Sequence, residues 1–195
     1  MANYPRIFLN LLFLLVLAVS CRNKGNTSDN TNNSKSETSV KTAKQQVRPG
    51  FVYESGAVIR GDTTADMIAL VFTGDSFADG GDFIAETLRE KNIKGSFFFT
   101  GNFYRNKMFH PLIKRLVSDG NYLGSHSDRH LLYCDWEKRD SLLVTREEFV
   151  RDLEDSYAEM KKFNIDRAGS RYFMPPYEWY NDTIASWTNR MGLVL

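Results

Sequence analysis

Two histidines stand four residues apart in Gly124-Ser125-His126-Ser127-Asp128-Arg129-His130, and the chain has only three histidines in all. Imidazoles at that spacing converge on one cation when the loop between them turns like a helix. Asp75 closes another short segment, Phe72-Thr73-Gly74-Asp75. If both segments end parallel strands, Asp75, His126 and His130 open on the same rim as a two-histidine, one-carboxylate set. Three protein ligands leave a position for water, and a divalent metal held there lowers the pKa of that water towards ~7 and polarises a carbonyl. The plain alternative is an exposed histidine pair near a turn aspartate, and spacing alone leaves both readings open.

The elements that would position these residues alternate. Ile68 to Phe72 is a continuous apolar run, suited to a strand buried on both faces. Asp82 to Lys91 reads as a helix with Phe83, Ile84, Thr87 and Leu88 on one side. Ser96 to Thr100 is a second buried strand, and Pro111 to Ser118 a helix with proline at its start. Tyr122 to Gly124 is a short third strand leading into the histidines. Thr145-Arg146-Glu147-Glu148 carries a capping-box pattern, opening a helix that should reach about Phe163. Arg171 to Met174 is a candidate fourth strand, Asn181 to Arg190 another helix, and Leu193 to Leu195 the opening of a fifth strand. Strand and helix in alternation argue for a parallel sheet with its chemistry at the C-terminal strand ends.

Composition narrows the classes. Among 195 residues, 42% are hydrophobic and 25% charged, the balance of a chain with a packed core. The net charge of +1 gives no basic face for nucleic acid, so no nucleic-acid partner is expected. The two cysteines, Cys21 and Cys134, make no disulfide framework. Residues 1–21 read as a secretory signal. Arg6 precedes a leucine-rich run from Ile7 to Val19, too short to span a bilayer as a mature helix. Its end, Leu17-Ala18-Val19-Ser20-Cys21, resembles a bacterial lipoprotein signal, which implies acylation of Cys21. Residues 22–48, rich in Asn, Ser, Thr and Lys, cannot bury enough surface to fold. They read as a disordered tether, with the folded part, 49–195, starting near Pro49. The expected location is the bacterial cell envelope, anchored to a membrane by lipid and either periplasmic or surface-exposed.

The motifs resemble those of the polysaccharide deacetylases, the NodB-homology group also called carbohydrate esterase family 4. Ser118 to His130 is similar to the histidine motif of that family. Ile93 to Gly101, IKGSFFFTG, resembles its second strand, commonly VKATFFVTG. Phe173-Met174-Pro175-Pro176-Tyr177 resembles its FRPPY motif, and Ile68 to Gly81 takes the place of its TFDDG motif. The similarity covers roughly residues 66–195. It implies an α/β fold, a distorted (β/α) barrel, and metal-dependent removal of acetyl groups from an acetylated glycan. On that resemblance Asp75, His126 and His130 are metal ligands. The metal is zinc first, with cobalt, nickel or manganese able to take the same set. The backbone N–H of Tyr177 stands where the family stabilises the oxyanion. Pro176, Glu178 and Trp179, around Tyr177, are candidates to touch substrate.

The chain departs from the pattern in several places. FTGDSFADGG replaces the paired aspartates of TFDDG, which leaves Asp79 as the candidate general base. Met174 stands where an arginine usually orients that base. The late Leu-x-His motif, which supplies the acid, has no counterpart before Leu195. The expectation is therefore a barrel incomplete at its C-terminus, a fragment of an enzyme with little turnover of its own. Two other readings remain: a non-catalytic carbohydrate- or metal-binding lipoprotein on the same barrel, and a glycoside hydrolase, which would need two opposed carboxylates.

Overall fold

A computed structural model describes residues 48–195. The signal segment, Cys21 and all of the tether except Arg48 lie outside the described residues. Among the described residues, no helix is long and apolar enough to cross a membrane.

An antiparallel hairpin comes first, β1 (Val52–Glu54) against β2 (Ala57–Arg60). The central sheet follows as β3 (Val71–Gly74), β4 (Ser96–Phe99) and β5 (Tyr122–Ser125), parallel and adjacent in chain order. Helix α1 (Gly81–Glu90) joins β3 to β4. The short α2 (Gly101–Arg105) and then α3 (His110–Ser118) join β4 to β5. Parallel strands need such crossovers, because a two-residue turn only reverses the chain. Past β5, a 20-residue loop, 126–145, leads to α4 (Arg146–Lys161), and α5 (Asp182–Arg190) lies near the end.

Segments 172–174 and 193–195 continue the sheet without forming full strands. Ser125 bridges Phe173 and Tyr172 bridges Val194, both in parallel. Beyond them the Val58 N–H donates to the Leu195 carbonyl, so the hairpin meets the far side of this layer. The order of strands agrees with a NodB-type α/β barrel, here with one open side among the described residues. The fourth and fifth strands read from sequence are single bridges, and Pro175, which lacks an N–H, follows directly on the fourth.

Local rules explain most boundaries. Thr145 and Glu148 close the capping box at the start of α4. The Thr100 and Asn181 side chains accept backbone N–H groups at the starts of α2 and α5. The core is aromatic: Phe99 stacks on Phe103 with ring centroids 4.0 Å apart, and Phe72 on Phe97 at 4.8 Å. Phe103, Tyr104, Tyr133 and Tyr180 are buried and pack in this core.

Two expectations fail on the β3 side. The strand starts at Val71, not Ile68, and Ile68 is 88% exposed. β3 is the edge of the sheet and pairs only with β4 among the described residues, so an apolar run there is not buried on both faces. Phe83 is likewise exposed, and α1 buries Ala85 and Leu88 instead. The helix packs on α3 through a face turned away from Phe83.

Candidate metal centre

The three residues singled out by type and spacing come together. A cavity of about 300 Å³ at the C-terminal strand ends is lined by Thr73, Gly74, Asp75, Phe77, His126 and His130. The two histidine Nε2 atoms are 3.1 Å apart. Two nitrogens each ~2.1 Å from one tetrahedral ion would lie ~3.4 Å apart, so the pair is close to the separation a shared cation requires.

The path between the histidines is not helical. Ser127 and His130 both have left-handed backbones, with φ of 72° and 57°. Hydrogen bonds impose this turn. The His126 N–H donates to the Phe99 carbonyl, and the N–H groups of Gly101 and Asn102 donate to the carbonyls of Ser127 and Asp128. The His130 N–H donates to Ser127 Oγ at 2.8 Å. Beneath the loop lies Asp152 of α4, fully buried, which accepts the N–H groups of Asp128 and Arg129 at 3.2 Å each and the Tyr133 hydroxyl at 2.7 Å. Burial pushes the Asp152 carboxyl up, against the effect of those donors. Sequence pattern did not single out Asp152 or Ser127. The helical spacing that brings Asp152 round with the buried Phe149, Leu153 and Ser156 was the available signal.

His126 is held as a neutral imidazole. Its Nδ1 lies 2.9 Å from the Met174 carbonyl. A carbonyl only accepts, so Nδ1 carries the proton and Nε2 presents a lone pair to His130. Burial pushes the His126 pKa down, the bond to Met174 opposes it, and the result is about 4. Met174 therefore contributes its backbone where the resemblance points to an arginine side chain. No residue type signals a backbone acceptor, so this role was not legible beforehand.

Asp75 faces the same cavity with its oxygens engaged. Oδ1 accepts from Thr100 Oγ1 at 2.7 Å and Asn102 Nδ2 at 3.2 Å, and Oδ2 from Ser76 Oγ at 2.7 Å. Partial burial pushes its pKa up, but those donors and nearby His130 outweigh it and hold the carboxyl below its ordinary value. Among the described residues, no three histidine, cysteine or acidic side chains already stand together as a metal-holding group. The donor set fits a divalent ion in chemistry, with the histidine pair in place and Asp75 turned to its hydrogen-bond donors.

Gly74 accounts for the missing second aspartate. A Cβ there would lie 2.9 Å from the Phe99 ring and 3.1 Å from that of Phe103. Asp79, the candidate base, is not with the histidines. It is exposed in the turn before α1 and lines a neighbouring cavity with Phe72, Ile84 and Leu112. The intervening Ser76-Phe77-Ala78 carries it away from the rim.

Tyr177 borders the site, its ring edge-on to His130 with centroids 4.5 Å apart. Tyr177 and Glu178 both have left-handed backbones, with φ of 61° and 52°. Each non-glycine residue held so costs on the order of 1–3 kcal/mol, and such strain clusters at functional sites. Among the described residues the Tyr177 N–H donates no hydrogen bond. Pro176 is buried in the same turn, and Glu178 is exposed. Trp179 is partly buried next to this turn. Its Nε1 donates to the Asp135 carbonyl at 3.2 Å, and the Arg139 guanidinium lies 4.3 Å from its ring centroid.

With this geometry in place, comparison with known proteins is informative. The polysaccharide deacetylase family model matches residues 60–195. The chain belongs to the polysaccharide deacetylase family. A chitin deacetylase of Arthroderma benhamiae is 30% identical over 131 residues, covering 67% of this chain and 33% of the relative. The peptidoglycan-N-acetylmuramic acid deacetylase PdaA of Bacillus subtilis is 25% identical over 109 residues, 56% of this chain and 37% of PdaA. A solved family 4 carbohydrate esterase from Bacillus anthracis superposes with a TM-score of 0.61 at 25% identity, over 72% of this chain and 62% of that one. A Bacillus anthracis pseudoenzyme of the same family shares the fold, with a TM-score of 0.60 at 18% identity, covering 73% of this chain and 46% of that one. The chain thus spans a third to a half of the length of the curated relatives it matches.

Proposed function

We propose that this deacetylase-family chain is a metal-dependent hydrolase that removes acetyl groups from a glycan. The observation that carries the reading is the His126–His130 pair, its Nε2 atoms 3.1 Å apart in a cavity shared with Asp75. These three residues would hold a divalent ion, zinc being the first choice for two imidazoles and a carboxylate. When bound, the ion supplies a polarised acetyl carbonyl and a water of lowered pKa.

The chain's own groups do the rest. The Met174 carbonyl keeps the proton of His126 on Nδ1, so its Nε2 offers a lone pair to the ion. Thr100, Asn102 and Ser76 donate to Asp75 and keep it ionised, and Asp75 would turn from them to reach the ion. The free N–H of Tyr177 donates to the acetyl oxygen as that oxygen gains negative charge, an interaction stronger in the transition state than in the ground state. A water oxygen bonds to the acetyl carbon as the acetyl C–N or C–O bond to the sugar breaks, the protons of that water pass to the leaving nitrogen or oxygen or to solvent, and acetate and a free sugar amine or hydroxyl are the products.

One observation favours a second reading, a binding protein on the same scaffold. Among the described residues Asp75 is the only carboxylate lining the histidine cavity, and Asp79 lines a neighbouring one. Acetate release from acetylated oligosaccharides, with zinc and then with EDTA, separates the two. EDTA-sensitive release supports hydrolysis, and none from zinc-loaded protein supports binding alone. Acylation of Cys21 and tethering to the envelope belong to the same proposal. A Cys21→Ser chain that is processed and membrane-associated like the parent would overturn them.

A further inference from the structure

Arg105 ends α2, three residues after Asn102, so the two side chains share one face of that short helix. Its guanidinium meets Asp128, the middle residue of the turn from His126 to His130, through two nitrogens. Nη1 donates to Oδ1 at 2.7 Å and Nη2 to Oδ2 at 3.1 Å. Asp128 is buried, and a forked pair of this kind fixes direction as well as charge. Nη2 also donates to Asn102 Oδ1 at 2.8 Å.

A guanidinium only donates and a carboxylate only accepts. Asn102 stands between one of each. Its oxygen must therefore face Arg105 and its Nδ2 must face Asp75 Oδ1, 3.2 Å away. One cationic side chain thus reaches the turn between the histidines on one side and Asp75 on the other.

The turn needs such a hold. Ser127 and His130 are both left-handed, and non-glycine residues stay so only where their surroundings over-determine them. Asp152 holds the turn by its backbone, and Arg105 holds it by a side chain. Gly101, at the start of α2, makes room for this contact. A Cβ there would lie 1.9 Å from Asp128 Oδ1 and 3.0 Å from Arg105 Nη1.

We propose that Arg105 is a positioning residue of the metal centre. Through Asp128 it sets the turn that brings His130 back to His126. Through Asn102 it sets the place beside the pair from which Asp75 turns to the ion. This inference rests on the metal-dependent reading and adds to it a residue that acts without touching the ion.

Arg105→Lys tests it. Lysine keeps the charge, but one ammonium cannot form the fork on Asp128 and hold Asn102 at the same time. Zinc titration of the full chain against a competing chelator should show affinity lowered about tenfold or more, the usual loss when a group behind a ligand is changed. The visible absorption of the cobalt-loaded variant should shift in position or intensity, because that band follows ligand geometry. Arg129→Lys makes the same change at an exposed arginine of the same turn and should stay within about twofold of the parent. The pair Arg105→Gln with Asp128→Asn leaves no lone buried carboxylate, so it should fold and still bind zinc about tenfold or more weakly. Urea unfolding confirms that each variant is folded before its affinity is compared. A folded Arg105→Lys with parental zinc affinity and an unchanged cobalt band would overturn the role of Arg105 and leave the metal reading standing. A parent that binds no zinc would overturn both.

Discussion

The side chain of His126 is hydrogen-bonded through Nδ1 to the backbone carbonyl of Met174, 2.9 Å away. This contact joins the loop after β5 to the segment before Pro175, and it fixes which nitrogen faces His130. Burial of the same ring makes stability depend on pH. Burial lowers the His126 pKa from 6.5 to about 4. The unfolded chain therefore binds a proton that the folded chain does not between those values. Stability should be full above about pH 6.5 and fall as pH drops towards about 4, by up to ~3 kcal/mol from this group. Urea unfolding of EDTA-treated protein across that range checks it, and His126→Asn should flatten that part of the profile.

Asp152 is the keystone of the histidine loop. Asp152→Ala leaves two backbone N–H groups and the Tyr133 hydroxyl without their acceptor in the interior. Each such orphan costs roughly 1–3 kcal/mol, so the three together should cost at least about 3 kcal/mol. Asp152→Asn keeps the shape and one acceptor oxygen and should cost about half as much. Denaturant midpoints of the two variants decide the matter. Equal small effects would show that the loop holds itself.

Gly74→Asp would recreate a pair of adjacent aspartates. It should destabilise the chain by about 1–3 kcal/mol, because the new Cβ presses on the Phe99 and Phe103 rings. Thermal unfolding of the variant beside a Gly74→Ala control measures the effect, and both should be lower than the parent.

Asp79→Asn should leave zinc affinity and any acetate release within about twofold of the parent, whereas Asp75→Asn should lower affinity by ~10-fold or more. Zinc titration of both variants against a competing chelator reads this directly. A large effect of Asp79→Asn would return that residue to the site.

The strand order that brings His126 and Asp75 to one rim was legible, but the turn that brings His130 back to His126 is left-handed rather than helical and was not. The capping box at Thr145 and the helix starting near Pro111 were legible, since both are local. What failed depended on neighbours. Ile68 and Phe83 look like core residues until β3 proves to be a sheet edge. Asp79 and Asp75 are only four residues apart, and a turn rather than a strand separates them. Trp179 and Trp136 are alike in sequence, but Arg139 and Asp135 engage one and leave the other half exposed.

The central claim is that His126, His130 and Asp75 hold one divalent ion. Elemental analysis of purified, zinc-loaded and dialysed protein tests it most directly. One zinc per chain is expected for the parent, and none for His126→Ala or His130→Ala at unchanged secondary structure. A metal-free parent, or zinc retained at one per chain by both folded variants, would contradict the account.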